Sequence, residues 1–406
     1  MTEEHPQPSS TSPPPQEFQL LPLAALDTTS GCIVHRLFAR IARFGLGRET
    51  PLLSVYITSL VLTFVPLLIG AVFSPLSLAS PIEAHRLPFL RDWNVLFMYL
   101  VSFPCLMILT VTDQHVLSTS LKSVQLDGTL TISEMEATPL AIRWHRRFYM
   151  TNLASHAVGG VLGVLVAYYC YVAYIPKSVG FWIAVDGHLL PVGFIFLYCI
   201  FLFYALIPVY VFRSVAIALL FKDVVSHAQL RLLPLHPDKS GGLRPVGRLG
   251  LRNQYVLTLF GLNVVLLVIT SLHYLQVPSS LYGLMIAAVI AYLVLGPLVF
   301  VAPLLAFRGG MLRTKSELMR EVANRLRVEL QRLRGQLQSG SISKEDEELI
   351  DRLRKIGALV DELPVWPFDA TTVRKFLVAY VVPVLSGLVF PAIQIILYYV
   401  TTHASP

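Results

Sequence analysis

Charge is scarce in this sequence: Asp, Glu, Lys and Arg make up only 14% of its 406 residues, against about 25% in soluble domains. So few charges cannot coat an ordinary soluble fold of this length. With 54% hydrophobic residues and a mean hydropathy of +0.63, the chain is not a disordered one either. Cysteine is also sparse. Cys32, Cys105, Cys170 and Cys199 lie in or beside apolar runs, with no CxxC pair and no histidine at zinc spacing, so neither a disulfide framework nor a metal centre is implied. Signatures of catalysis are missing as well: there is no GxSxG, HExxH, P-loop or dinucleotide fingerprint, and hence no implied cofactor. Ser155-His156 and Trp144-His145-Arg146-Arg147 stand without a paired acid, and no catalytic residue is assigned.

What the chain does have is long apolar runs. A helix needs roughly 20 apolar residues to cross a bilayer core about 30 Å thick, because every backbone polar group must be paired within the segment. Seven stretches meet or approach this: Leu52 to Phe73, Val95 to Thr112, Leu153 to Ile175, Leu189 to Leu220, Tyr255 to Val277, Leu281 to Phe307 and Phe376 to Val400. The second is the shortest and contains Pro104; the fourth is too long for a perpendicular crossing, so its end from about Arg213 is expected to leave the membrane. The sequence thus predicts an all-α integral membrane protein of about seven transmembrane helices.

Lys and Arg fix the orientation, since positive loops stay on the cytoplasmic side. With the N-terminus inside, 29 of the 32 fall in inner segments, and only Arg86, Arg91 and Lys177 fall outside. The expected setting is an inner or plasma membrane, with the N-terminus cytoplasmic and the C-terminus external. The net charge of +7 is then retention charge facing an anionic inner leaflet rather than a nucleic-acid footprint.

Outside the spans, residues 1–31 hold no Lys or Arg and are rich in Pro, Ser and Thr, the composition of a disordered cytoplasmic tail. Residues 32–50 read as a basic amphipathic surface helix, with Phe38, Ile41 and Phe44 on one face and Arg36, Arg40 and Arg43 off it. Cytoplasmic loops are expected at 113–152 and 221–254 within the membrane region 51–306. Residues 307–375 predict a cytoplasmic helical hairpin. Thr314-x-x-Glu317 offers a capping box, and Met319, Val322, Leu326, Leu330, Leu333 and Leu337 form one stripe. Leu349, Leu353, Ile356, Val360 and Leu363 form the second, after a start near Ser343. The seventh span follows at 376–400 and a short external tail at 401–406.

The most polar cluster is His236-Pro237-Asp238-Lys239-Ser240-Gly241-Gly242-Leu243-Arg244, between spans four and five. HPDK matches the tripeptide of J-domain co-chaperones, but a J-domain sets it between soluble helices, and here membrane spans flank it. Two readings of the loop are open. In one, Gly241 and Gly242 expose consecutive N–H groups beside Lys239 and Arg244, with His236 and Asp238 orienting a phosphate-bearing ligand. In the other, Asp238 forms an Asx-turn and the glycines shape a tight connection. An HPDxxGGL loop followed by Trp366-Pro367-Phe368-Asp369 before a final span resembles a group of uncharacterised bacterial multi-pass membrane proteins. The resemblance covers about the last 180 residues and implies no activity. From the residues themselves, Trp366 reads as an interfacial anchor and Asp369 as a cap for the last span.

Within the spans no Asp, Glu, Lys or Arg lies mid-membrane, and Asn263 and Gln394 are the deepest amides, read as interhelical hydrogen-bond partners. Prolines interrupt several spans, which suits kinked helices. Two functional expectations follow. One is a ligand-responsive, channel-like conduit in which anion binding at the 236–244 loop shifts span four against span five. The other is a non-conducting membrane sensor or scaffold that binds a cytoplasmic protein or a second copy through its helical hairpin.

Overall fold

The computed structural model describes residues 26–41, 51–74, 87–174, 182–185, 188–232, 236–238, 240–274, 279–337, 344–368, 371–378, 380–382 and 385. The tail up to residue 25, residues 42–50, Lys239, Asp369, Gln394 and the segment 401–406 lie outside them. Among the described residues the fold is helical, with four two-residue strands, β1 (Leu130–Thr131), β2 (Ala184–Val185), β3 (His188–Leu189) and β4 (Gln229–Leu230). The helices are α1 (Ile33–Ile41), α2 (Pro51–Leu62), α3 (Phe64–Val72), α4 (Trp93–Phe97), α5 (Phe103–Leu126), α6 (Glu134–Tyr169), α7 (Pro191–His227), α8 (Arg244–Tyr274), α9 (Ser279–Leu337) and α10 (Lys344–Asp361). Among the described residues four stretches are long and apolar enough to cross a membrane: Leu52–Val72, Trp93–Leu126, Met135–Val172 and Pro191–His227.

The helices run well beyond the apolar windows. The expected loop 113–152 shrinks to residues 127–133, because α5 continues to Leu126 and α6 begins at Glu134. The expected loop 221–254 shrinks to 228–243 for the same reason. Hydropathy marks where lipid contact ends, while the backbone ladder continues until a cap or glycine stops it. β1 pairs antiparallel with β4, Leu130 opposite Leu230, so the two shortened connections are tied to each other. The strand pair β2 and β3 closes the opposite end, before α7.

Two more expectations are corrected. Residues 26–31 are not part of a loose tail: Thr28 and Thr29 are buried, and the Asn152 side chain donates to the carbonyls of Thr28 (2.9 Å) and Ser30 (2.8 Å). Thr314 caps nothing, since α9 is one continuous helix from Ser279; its hydroxyl instead donates to Leu230 O at 3.3 Å. The expected first span is the apolar stretch Leu52–Val72, and it breaks at Thr63 between α2 and α3, three residues before Pro66.

Pro104 explains the π-turn at Met98–Ser102 that joins α4 to α5. Proline supplies no N–H for the carbonyl four residues earlier, that of Leu100, and the Tyr56 hydroxyl of α2 donates to that oxygen at 3.1 Å. Asn263 of α8 belongs to the same place: its side-chain amide donates to the Ser102 hydroxyl and to Leu259 O. The hydrogen bond to Ser102 ties α8 to the π-turn between α4 and α5.

Two hydrophobic cores fill the bundle. One lies at the end that holds β2 and β3, where Trp182 packs edge-on against Phe89 and Phe196 (4.9 and 5.7 Å). There Asp92 accepts from Trp182 Nε1 (3.1 Å) and from Val95 N, capping α4. Burial pushes its carboxyl up to about 6. The other core, around Trp144, Phe148, Phe221 and Phe307, sits at the end carrying most Lys and Arg, called here the basic end. α10 packs along the distal part of α9 in antiparallel register: Lys315 reaches the Asp361 carboxylate (3.4 Å), Val322 lies beside Gly357, and Arg332 approaches Asp346 at 3.9 Å.

Candidate functional site

The basic end holds two connected polar structures, and the first is a buried ionic layer. α5 contributes Asp113, α7 Arg213 and α8 Arg252. Arg252 Nη1 lies 2.9 Å from Asp113 Oδ1, and Arg213 Nη1 lies 3.7 Å from Asp113 Oδ2. The Arg213 side chain is 1% exposed and that of Asp113 8%. Isolated charges this deep would be prohibitively costly, so each is matched further. Arg213 donates to Thr110 O (2.6 Å) and to Asn152 Oδ1 (3.4 Å). Arg252 donates to Leu109 O (2.9 Å) and to the Thr112 hydroxyl. Beside them the Tyr210 hydroxyl donates to Asn253 Oδ1 at 3.0 Å. One layer therefore ties α5, α6, α7 and α8 at a common level.

The segment before α1 docks onto this layer through Asn152. Cys32 precedes α1, and its Sγ lies 4.0 Å from His156 Nε2. His156 Nδ1 donates to Asn152 O at 2.6 Å, which leaves Nε2 as the atom facing the thiol. Burial opposes ionisation of Cys32, but the His156 hydrogen bond and the Arg213 charge outweigh it and bring the thiol down to about 7.

The second structure is the 236–244 loop. Asp238 is its centre: Oδ1 accepts from Ser240 N (2.8 Å) and Gly242 N (3.1 Å), and Oδ2 accepts from Arg244 N (3.2 Å). His236 Nδ1 lies 2.7 Å from Oδ1. Gly241 and Gly242 have φ of 65° and 92°, the left-handed region that glycine adopts freely. The turn so made presents its N–H groups inward. The N–H groups of Ser240, Gly242 and Arg244 are thus occupied by the loop's own carboxylate, which also sits at the N-terminus of α8, where the helix dipole favours negative charge. His236, Asp238, Gly241, Gly242 and Arg244 are brought together; the Arg244 side chain faces solvent.

The two motifs of the resemblance meet here. Pro364 lies near Gly241, and a β-carbon on Gly247 would stand 2.3 Å from Pro367 O, so the 363–368 segment lies tightly against the loop and the start of α8. Trp366 stacks under Arg308 of α9, with the guanidinium 4.4 Å from the ring centre, and against Phe368. Leu243 and Leu363 are both fully buried within the same core. The junction clamps α8, α9 and the end of α10.

Replacing Asp238 by alanine strands three backbone donors, of which those of Ser240 and Gly242 belong to buried residues. The expected cost is about 2–3 kcal/mol, given the strength of hydrogen bonds to charged groups. Burial raises the Asp238 carboxyl, but these N–H groups and His236 outweigh it and hold it below the usual range. Its contribution is therefore complete above the unfolded value of about 4 and is lost as pH falls through the lower folded value. Thermal scans of wild type and Asp238→Ala between pH 7 and pH 3 should converge on acidification; a gap that stays constant would contradict this role.

Asp113 and its arginines were missed as a site in the sequence because each lies at the edge of an apolar window and reads as a topology charge. The available signal was the sign: an acid at the edge of one apolar window stands opposite Arg213 and Arg252, near the edges of two others. Among the described residues no cluster of His, Cys, Asp and Glu could hold a metal ion. Neither a family model nor a curated protein nor a solved structure matches this chain.

Proposed function

We propose that this protein is a non-conducting membrane scaffold whose α9–α10 pair, a cytoplasmic helical hairpin at the end of a seven-span bundle, docks a cytoplasmic protein or a second copy of the chain. The observation that carries the reading is a surplus apolar stripe on α10. Asp346, Leu353 and Val360 recur every seven residues and are buried, whereas Leu349, Ile356 and Leu359 on another face are exposed. Val328 and Leu330 are exposed on the neighbouring part of α9. Lipid does not account for them, because charged pairs such as Arg325–Glu321, Arg352–Glu348 and Lys355–Asp351 surround them on both helices. Apolar side chains set among solvated charges are the signature of a protein contact.

The ionic layer and the 236–244 junction supply what a scaffold needs, a rigid platform. They fix α8 and α9, and α9 carries the proposed docking surface without a break. The N-inside orientation, with the C-terminus external, keeps this surface in the cytoplasm and is part of the proposal.

A cysteine introduced at Leu349 should give discrete cross-linked species in intact membranes, and adding Ile356→Glu and Leu359→Glu to that variant should abolish them while leaving thermal unfolding unchanged. Conductance of the purified protein in a planar bilayer at several salts is the counter-test. A current from inserted, folded wild type would favour the conduit, in which opening requires the Asp113 layer to part.

A further inference from the structure

A groove of about 1290 Å³ runs along the seam of α6 and α7 at the basic end. One wall is apolar, with Phe212, Val215 and Leu219 of α7 facing Ile142 and Met150 of α6. All five are exposed. The other part of the lining is cationic: Arg143, Arg146 and Arg147 from α6 and Lys222 from α7. Arg147 is already engaged, 3.0 Å from Asp223 and 4.9 Å above the Trp144 ring. Arg143, Arg146 and Lys222 are exposed and have no acidic partner among the described residues. Asp223, the acid in the lining, is held by Arg147 and by Trp144 Nε1 (3.1 Å).

We infer that this groove binds one anionic glycerophospholipid of the adjacent leaflet, with its phosphate among Arg143, Arg146 and Lys222 and an acyl chain along Phe212, Val215 and Leu219. The division of the lining matches the division of the ligand. A headgroup carries fixed negative charge at the membrane border, and the chain beneath it is apolar; basic pockets between membrane helices at that border recognise such headgroups. Access is from the side, because Ile142 and Met150 of α6 and Phe212, Val215 and Leu219 of α7 are exposed along the groove, and both helices belong to stretches long and apolar enough to cross a membrane. The volume exceeds what a free phosphate needs and suits a headgroup with its first carbons. An apolar wall would also be wasted on a soluble anion. The cations are within the fold's own end for such contacts, since Lys and Arg stems pack on apolar surface while their heads stay in the headgroup layer. The site is separate from the 236–244 loop, whose backbone donors are filled by Asp238. It does not depend on what α10 binds.

The test uses the full-length protein, purified in neutral detergent and depleted of lipid. Native mass spectrometry with equimolar phosphatidylglycerol and phosphatidylcholine should show preferential retention of phosphatidylglycerol. Arg143→Ala, Arg146→Ala and Lys222→Ala should each weaken that preference about fivefold, the effect of one basic side chain near a headgroup. A second reading avoids dependence on charge removal: in Phe212→Trp, brominated phosphatidylglycerol should quench the added fluorescence more strongly than brominated phosphatidylcholine. Equal retention of the two lipids by wild type would overturn the assignment. So would an unchanged preference in the triple variant, or displacement of the lipid by glycerol phosphate at equal concentration, which would mark a site for a soluble anion.

Discussion

Asp113→Ala is expected to lower stability by about 3–5 kcal/mol, the range for removing one partner of a buried ion pair. Arg213 has a side chain only 1% exposed, and without Asp113 its charge keeps the Thr110 carbonyl and the Asn152 amide oxygen but loses its carboxylate partner. Its Nε already lacks a partner among the described residues. Arg252 is less affected, because it is partly exposed and retains Leu109 O and the Thr112 hydroxyl. The asymmetry gives a sharper test than the single variant. Asp113→Leu combined with Arg213→Met removes both buried charges and replaces them with apolar groups of similar volume, an exchange that is often neutral. Thermal unfolding in one detergent at one scan rate should therefore place the double variant well above Asp113→Ala. If the double variant is the worse of the two, the layer acts through its hydrogen bonds to Thr110 and Asn152 and not through charge balance. Cross-linking through α10 should weaken in Asp113→Ala and recover in the double variant, since the layer is the platform on which α8 and α9 rest.

How the sequence relates to this layer follows from what hydropathy measures. Windowed hydropathy finds where a helix touches lipid, and it located the helical stretches at Leu52–Val72, Trp93–Leu126, Met135–Val172 and Pro191–His227. It does not find where a helix ends. Asp113 closes an apolar window and so reads as the first loop residue, yet α5 continues 13 residues past it to Leu126, and the carboxylate points into the bundle. Arg213 and Arg252 read from the sequence as topology charges near the ends of apolar windows, and they are the partners of Asp113. A tally of signs cannot distinguish a charge that faces headgroups from one that faces another helix. Residues 26–31 were illegible for a different reason: their docking runs through backbone carbonyls held by Asn152, and carbonyls are common to every residue type. For the 236–244 loop the composition left two readings open, and the hydrogen bond from Ser240 N to Asp238 is that of the Asx-turn reading. Its glycines do take positive φ, and the carboxylate they wrap around is Asp238, two positions from the Ser240 N–H that it holds.

The seam of α6 and α7 yields a pair of substitutions with opposite expected signs at adjacent positions. Gly159 and Gly163 lie one turn apart on α6, where the backbone of α7 passes so close that an added β-carbon would stand 2.1 Å from Ala205 O and 2.7 Å from Phe201 O. The obstacle is main chain in both cases, so no side chain can turn aside, and small residues are what permit this approach between membrane helices. Gly159→Ala is expected to force α6 and α7 apart and to cost about 3 kcal/mol, the upper part of the range for overpacking. Gly160, one residue on, has nothing within 4 Å of such a carbon. There the substitution only removes glycine's conformational freedom from a helix interior, and Gly160→Ala should stabilise by up to about 1 kcal/mol. The two variants carry the same change in composition, so detergent binding and expression level cancel between them, and the difference in thermal midpoint reports the seam alone. Because the lipid groove lies on that seam, Gly159→Ala should also reduce retention of phosphatidylglycerol, whereas Gly160→Ala should leave it intact. Equal midpoints for the two variants would mean that α6 and α7 are not in backbone contact at Ala205, and the groove between them would then lack the wall that gives it its shape.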